Sequence, residues 1–379
     1  MKLGILVTII SGFGKKGFYH SQEIGLAKTL VEMGHDVVIY KCVSRDKERF
    51  SEDIGEHIRI HYIPVFSLGF HGYCPPSNLD EDLDGLLSFA DTQFFLPPVY
   101  RFCVKHQIAF VPYIGIAHSA QRNTKSIFMD FLFHNGTLKI YKKLPVLAKT
   151  DEVMEELHQL GVKDCQVTPV GLDTTELKTD FRNYDRNALR EKYGYKPSDV
   201  IISFVGRMKV EKRPLDMVDI FDAVKDCKDY KMLMVGEGYQ RDDIAAKVKA
   251  MGLSDRVQMI ERVNYENMWE VHYISDYFVN LCYREIFGMA LMEGIYYESS
   301  VAAVEAAGPC FILKGMEGHC LCKDDEGIKQ WLRADKPDGA VLRQSSDRLI
   351  ERFSWKYCAQ AFADLTKEYG SRPERKGRA

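Results

Sequence analysis

Runs of aliphatic and β-branched residues alternate along this chain with stretches whose apolar positions recur every three or four residues. LGILVTII at 3–10 leads into SQEIGLAKTLVEMG, a Gly-His turn and then DVVIY at 36–40. Farther on, IAFVPYIGI at 108–116, LPVLAKTDEVMEELHQLG at 144–161 and QVTPVGLD at 166–173 repeat the order strand, helix, strand. Such alternation predicts a parallel sheet sandwiched between helices. From Asp173 the chain turns polar and carries one short helix.

At Val200 the alternation restarts. VIISFVG (200–206), a helix from Lys212, YKMLMVG (230–236), a helix over 240–251, RVQMI (256–260) and a helix near 265–273 follow one another. DYFVNL (276–281), a helix near 286–297 and short strands around 300–304 and 310–313 complete the set. The expectation is α/β with two doubly wound, Rossmann-like parallel-sheet domains: 1–173, a connector 174–199, and 200–352. FSWKYCAQAFADLTKEY (353–369) has its aromatics on one helical stripe and reads as a closing amphipathic helix, with 370–379 a basic, mobile tail.

The length of 379 residues suits two globular domains, and 46% apolar residues supply two cores. Lys and Arg number 51 against 54 Asp and Glu, for a net charge of −3, so there is no global field to gather nucleic acid and anion binding has to be local. No apolar run is long enough to span a bilayer, and the opening MKLGILVTII reads as a buried strand, not a signal peptide. The ten cysteines include no CxxC pair, which fits free, mostly buried thiols in a reducing cytoplasm. His319, Cys320 and Cys322 cluster but lack a second ligand pair, so no metal is expected there.

Three motifs carry chemistry. Gly12, Gly14 and Gly17 fit G-x-G-x-x-G between a strand and a helix. A dinucleotide site would want an acid at the exit of the second strand, yet Asp36 stands at its start and Lys41 at its exit. A cationic exit suits NADP, so an NADP-dependent oxidoreductase stays open, beside a backbone cradle for another anion and a plain tight turn.

The second motif is SFVGRMKVEKRP (203–214), which sets Gly206, Arg207 and Lys212 past the first strand of the second domain, on the edge where open α/β sheets bind ligands. Two cations there neutralise a diphosphate leaving group without a metal. Lys209, Glu211 and Arg213 read as an ordinary charged first turn. The third is CYREIFGMALMEG, with Glu285 in a strand-to-helix loop and Glu293 just over one turn into the helix, the two able to hold sugar and ribose hydroxyls.

Taken in order, these segments resemble the GT-B glycosyltransferases, specifically the retaining sugar-nucleotide transferases of glycosyltransferase family 4. GFYHSQEIGLAKTLVEMGHDV resembles the family's acceptor-side loop and first helix, VGRMKVEKRP its diphosphate motif, and EIFGMALME its E-x7-E motif. VLAKTDEVMEELHQLGVKDCQVTPVGLD, VGEGYQRDDI, AAGP with EGHCL, and FSWKYCAQAF match in sequence order, the last as a helix returning to the N-terminal domain.

The resemblance implies an acceptor-side first domain and a nucleotide-sugar-binding second one. It places the donor against Gly17, Gly206, Arg207, Lys212, Glu285, Phe287, Gly288 and Glu293, and makes Arg207, Lys212, Glu285 and His118 the catalytic set. Two positions depart from the pattern: Phe18 stands where a second loop glycine is usual, and GIYYESSVAA follows Glu293 in place of a G-x-P-V turn.

The implied reaction moves a hexosyl or N-acetylhexosaminyl group, with retention, from a UDP-linked donor to a hydroxyl acceptor on a sugar, lipid or small molecule, in glycan biosynthesis, with no metal or other cofactor. A non-catalytic nucleotide-sugar-binding relative is the remaining alternative. Asp82 and Asp84 form a DLD in an acidic run read as a solvated helix start. Residues 121–143 mix Arg122, Lys125, Lys139, Lys142 and Lys143 with Phe128, Phe131 and Phe133, which suits either a half-buried helix with a charged rim or peripheral contact with an anionic inner-membrane face.

Overall fold

A computed structural model describes residues 1–10, 21–118 and 124–371, excepting the side chains of 124–126 and 371. Gly12, Gly14, Gly17 and Phe18 lie outside the described residues. Contacts divide the chain into two units, one running to Gly171 and resuming at Ser354, the other Leu172–Phe353.

The first unit contains β1 (Lys2–Val7), β2 (Asp36–Ser44), β3 (Phe50–Asp53), β4 (Ile58–Val65), the small hairpin β5 (Ser67–Leu68) and β6 (His71–Gly72), β7 (Gly85–Phe89), β8 (Ala109–Ile114), β9 (Val146–Ala148) and β10 (Cys165–Val167). Its main sheet has the order β10-β9-β8-β7-β1-β2-β4-β3, parallel throughout except for β3 against β4. β7 and β8 are buried at every position, as strands covered on both faces must be. The C-terminal helix Trp355–Ser371 packs on β7, β8 and the helix Gln22–Glu32, so the chain does return to its first unit. It lies so close that a Cβ on Gly85 would stand 2.4 Å from Thr366 Oγ1.

The second unit contains β11 (Val200–Val205), β12 (Tyr230–Val235), β13 (Val257–Ile260), β14 (Tyr277–Asn280), β15 (Ser300–Val304) and β16 (Cys320–Cys322), in the parallel order β13-β12-β11-β14-β15-β16. Alternation along β11 serves two cores: Ile202 and Phe204 join Met217, Phe221, Met232 and Met234 on one face, and Ile201 joins Leu233, Val271 and Ile274 on the other. Each such side chain contributes about 1.5–3 kcal/mol on burial.

Where β11 and β14 begin, one carboxylate ties the unit together. Asp276 accepts from the Ile201 backbone N–H at 2.8 Å and from Arg190 at 2.7 Å, and pairs with Lys336 and, at 3.5 Å, Arg186. Arg190 also reaches the carbonyl oxygens of Ile274, Pro197 and Asp199, so the connector helix Arg186–Lys192 is fastened to the sheet. Burial alone would raise the Asp276 carboxyl, but Arg186, Lys336 and Arg190 outweigh it and hold it below the usual carboxylate range.

Four expectations change. The segment 144–161, expected as one helix, opens with the buried strand β9, and its helix spans only Asp151–Gln159 behind the cap of Thr150. FIL in 310–313 is not a strand but the end of the helix Ala307–Leu313, opened by Gly308 and Pro309, and the sixth strand is β16. A four-residue apolar run does not distinguish a buried strand from a buried helical turn. The DLD segment is a turn, not a helix start: Asp82 pairs with Lys2 Nζ at 2.6 Å and Asp84 accepts from the Lys2 backbone N–H at 2.8 Å. The helix expected from residue 286 begins only at Met289.

Asp276→Asn leaves three cations facing a neutral amide and is expected to cost about 3–5 kcal/mol of unfolding free energy in urea titrations at neutral pH. Because the folded carboxyl titrates below its unfolded value, this stability is complete above roughly pH 4 and is lost as pH falls through the lower folded pKa, a dependence the Asn variant lacks.

Candidate functional site

Sequence order reverses between β11 and β14, so the loops leaving their carboxyl ends part to opposite faces and open a mouth in the second unit. The two strands register only at Ile202 with Tyr277 and Ser203 with Phe278 before they separate. Gly206 follows β11 with open space where a side chain would stand. Gly236, at φ +149, lies behind it, and a Cβ there would come within 1.8 Å of the Gly206 carbonyl oxygen. Only glycine lets these two turns meet.

Lys212 and Glu285 come together at this mouth. The ammonium lies 2.5 Å from Glu285 Oε2, with the two side chains 24% and 15% exposed. Asn280, the last residue of β14, donates to the same oxygen at 3.0 Å, and its own Oδ1 accepts from Cys282 N–H at 2.9 Å. The Glu285 carbonyl accepts from Gly308 N–H at 3.0 Å. Glu285 is therefore held at both its side chain and its backbone, with a cation already in place.

Arg207 is exposed and makes no side-chain hydrogen bond or ion pair among the described residues. The next arginine behaves differently. Arg213 occupies the left-handed region at φ 58 and joins the short 3-10 turn Val210–Lys212 to the helix Pro214–Val224. It donates to Asp216 at 2.6 Å and to both oxygens of Asp325 at 2.9 and 2.6 Å, and stacks over Tyr283 at 4.8 Å. Arg213 is thus more than a charged first turn: it is a bidentate clamp that fixes the loop carrying Lys212.

On the β14 side, Gly288 caps the helix Met289–Tyr296 at φ 106, a conformation that favours glycine. The Phe287 side chain is 3% exposed and packs on Phe311 and Phe353, which leaves its backbone to face the loop. Glu293, one turn into the helix, is 7% exposed and lines a separate hollow of about 210 Å³ with Glu176, Lys178, Tyr265, Trp269 and Tyr297. Its oxygens lie 3.5 Å from the Tyr265 hydroxyl and 3.4 Å from His272 Nε2. Burial and the Glu293 charge push the Tyr265 phenol up, so it remains a donor.

His118 belongs to the first unit, where its Nδ1 pairs with Glu156 Oε1 at 2.5 Å on the helix Asp151–Gln159 and its side chain is largely exposed. Lys41, the cationic strand exit, pairs with Glu23 at 2.6 Å and so already has a carboxylate partner. Asn280, Tyr265 and His272 were not singled out by sequence reasoning. The readable signal was a polar residue closing an otherwise apolar strand, for Asn280, and two ring donors on the helix Tyr265–Ile274 for the others.

A double-mutant cycle of Lys212→Met and Glu285→Gln, read by urea denaturation, should give a coupling energy of about 1–2 kcal/mol. Strict additivity would mean that the pair does not form in solution.

Residues 185–334 match the family model of the glycosyl transferases group 1. The N-acetyl-alpha-D-glucosaminyl L-malate synthase of Bacillus anthracis is 27% identical over 210 residues, 54% of this chain and 54% of that protein. The D-inositol 3-phosphate glycosyltransferase of Nocardia farcinica is 28% identical over 236 residues, 58% of this chain and 51% of that one. The chain thus spans about half the length of the curated relatives it matches.

Among solved structures, the sucrose-phosphate synthase of Thermosynechococcus elongatus superposes with a TM-score of 0.72 at 16% identity, covering 98% of this chain and 100% of that one. Anabaena HepE, in complex with UDP and glucose, gives 0.68 at 14% identity over 97% and 100%. The chain has the GT-B fold, and residues 185–334 of its second unit are similar to the glycosyl transferases group 1.

Proposed function

We propose that this chain is a retaining glycosyltransferase that moves a hexosyl or N-acetylhexosaminyl group from a UDP-linked donor to a hydroxyl acceptor without a metal. The observation that carries the reading is the Lys212–Glu285 pair at the mouth between β11 and β14, inside the matched segment that also holds Arg207 just past β11. The UDP-bound state of Anabaena HepE supports the choice of nucleotide, and the name of the Bacillus anthracis relative supports an N-acetylhexosaminyl group.

The chemistry follows from charge. As the bond from the anomeric carbon to the phosphate oxygen breaks, its electron pair stays on the phosphate, and the ring develops oxocarbenium character. Arg207 and Lys212 are cations aimed at that growing negative charge, worth more in a closed, dry site than in water. When the ammonium turns to the diphosphate, Glu285 is released to accept from sugar hydroxyls, while Asn280 keeps it in place. The acceptor hydroxyl attacks on the face the leaving group departs from and gives its proton to a phosphate oxygen, which retains configuration. Glu293 accepts from the ribose hydroxyls.

Arg207→Ala should lower kcat by about 10²–10³-fold with Tm unchanged, because the side chain has no hydrogen bond or ion pair among the described residues. Glu285→Gln should lose activity to a similar degree. Parental rates in both variants would dismiss this assignment. UDP at a hundred times its Kd should stabilise the protein by about 2.7 kcal/mol in a thermal-shift assay. A response to NADP in place of UDP would favour the oxidoreductase reading.

Peripheral membrane contact is part of the same proposal. Ile127, Phe128 and Phe131 are 64%, 56% and 61% exposed on the helix Thr124–Asn135, and the exposed Lys139, Lys142 and Lys143 follow. Apolar side chains with flanking cations suit an anionic bilayer. Co-sedimentation with phosphatidylglycerol vesicles is expected, falling at least severalfold in Phe128→Ser/Phe131→Ser, and equal pelleting with neutral vesicles would count against it.

A further inference from the structure

β16 is the last strand of the second sheet, hydrogen-bonded to β15 on one side only. Its sequence is Cys-Leu-Cys, and residues two apart on a strand share a face. Leu321 points outward at 38% exposure, whereas Cys320 and Cys322 both turn toward the core and their sulfurs lie 3.3 Å apart. A disulfide needs roughly 2.05 Å between sulfurs and about 3.5–4.5 Å between Cβ atoms, so closing the bond also draws the strand backbone in. An edge strand can take up the added twist, since no partner constrains its outer side.

The two sulfurs are unequally reachable. Cys322 is 3% exposed, and Gly327 on the helix Asp325–Arg333 comes so near that a Cβ there would stand 3.5 Å from the Cys322 sulfur. Cys320 is half-buried, and both cysteines line a surface hollow of about 570 Å³ with Lys323, Gln330 and Trp331. The Cys322 thiol donates to Cys320 Sγ. That bond favours a thiolate on Cys320 and a proton on Cys322.

We propose that Cys320 and Cys322 form a redox couple on the sheet edge, closing to an intrastrand disulfide by exchange with a low-molecular-weight disulfide that enters the hollow. The Cys320 thiolate attacks one sulfur of RSSR, so a Cys320–SR bond forms, the RS–SR bond breaks and RS⁻ leaves. Cys322 then gives up its proton and attacks Cys320 Sγ, forming the Cys320–Cys322 bond and expelling the second RS⁻. Two protein thiols lose two electrons, one disulfide becomes two thiols, and the two protons end on the released thiolates.

The protonation states support this order. The hydrogen bond from Cys322 pulls the Cys320 thiol down to about 7 against the opposing effect of burial, while the same bond and burial push Cys322 up. Cys320 therefore carries more thiolate near neutral pH than an ordinary thiol does. A pKa near ambient pH is the optimum for an attacking thiol. His319 beside the pair is held neutral: its Nδ1 accepts from Val301 N–H at 3.0 Å, and burial keeps it down to about 4.

A second neighbouring pair serves as an internal control. Cys42 and Cys74 are 3% and 0% exposed in the first unit, and the hydrogen bond to Cys74, then burial, raises the Cys42 thiol well above its usual value. That pair should stay reduced where Cys320 and Cys322 react.

The test equilibrates the full chain in glutathione buffers of rising oxidised fraction, alkylates remaining thiols with iodoacetamide and maps peptides by mass. The peptide carrying both residues should lose two hydrogens and escape alkylation, revert with dithiothreitol, and react with a rate that rises with pH to a midpoint near 7. Cys320→Ser should slow modification of this peptide about tenfold. Cys322→Ser, or Cys322→Ala if the serine is not tolerated in the core, should stall as a glutathione adduct on Cys320.

Two free, alkylated thiols at every buffer ratio would overturn the proposal, and so would a Cys320→Ser variant in which Cys322 reacts at the parental rate. Neither result depends on the glycosyltransferase reading.

Discussion

The second unit depends on a buried carboxylate that does two jobs with one side chain. Asp276 caps the amino end of β11 through Ile201 N–H and gathers Arg190, Arg186 and Lys336 around itself. Such a cluster loses much hydration, and its attraction offsets that loss only when every member is paired. Its position is what matters for function. By locking β11 to β14 at their amino ends, Asp276 leaves the carboxyl ends free to diverge, and two residue pairs of register are enough. The mouth that receives Lys212 and Glu285 exists because the opposite end of the same strand pair is closed.

At that mouth the electrostatics are those of a preset contact. A lone ammonium at a strand end would wander among rotamers, and a lone carboxylate would resist burial. Paired at 2.5 Å, each fixes the other, while Asn280 and the Arg213–Asp325 clamp fix the loops that bear them. In the proposed reaction a diphosphate competes for the cation with a single carboxylate, a contest that its two negative charges favour. Arg207 has no side-chain hydrogen bond or ion pair among the described residues.

Much of this was legible in sequence because the period of the apolar pattern changes from two to near four at each strand-helix junction. All six strands of the second unit except β16 fall in runs that the pattern marks, as do β1, β2, β8 and β10 of the first, whereas β9 lies inside the 144–161 segment that the pattern marks as helix. The gaps have physical reasons. β7 (GLLSF) follows the acidic turn at Asp82 and Asp84, whose charge suggested a helix start until Lys2 is seen to neutralise it. β4 (IRIHYIPV) carries polar residues along a flank of the sheet where one neighbour is the exposed β3. The pairing of Lys212 with Glu285 could not be read at all, since 73 residues separate them and only the strand order brings them together.

The edge of the sheet and its mouth are closer than the strand order suggests. The Cys322 carbonyl accepts from Glu305 N–H at 2.9 Å, and three residues later Gly308 N–H donates to the Glu285 carbonyl. Gly308 sits where a Cβ would fall 2.0 Å from the Phe287 carbonyl oxygen, so the loop from β15 to the helix Ala307–Leu313 can slide little without disturbing 285–288. Two backbone hydrogen bonds three residues apart thus tie the carbonyl groups of Cys322 and Glu285 to one loop, and the close approach of Gly308 to Phe287 leaves that loop little room to shift.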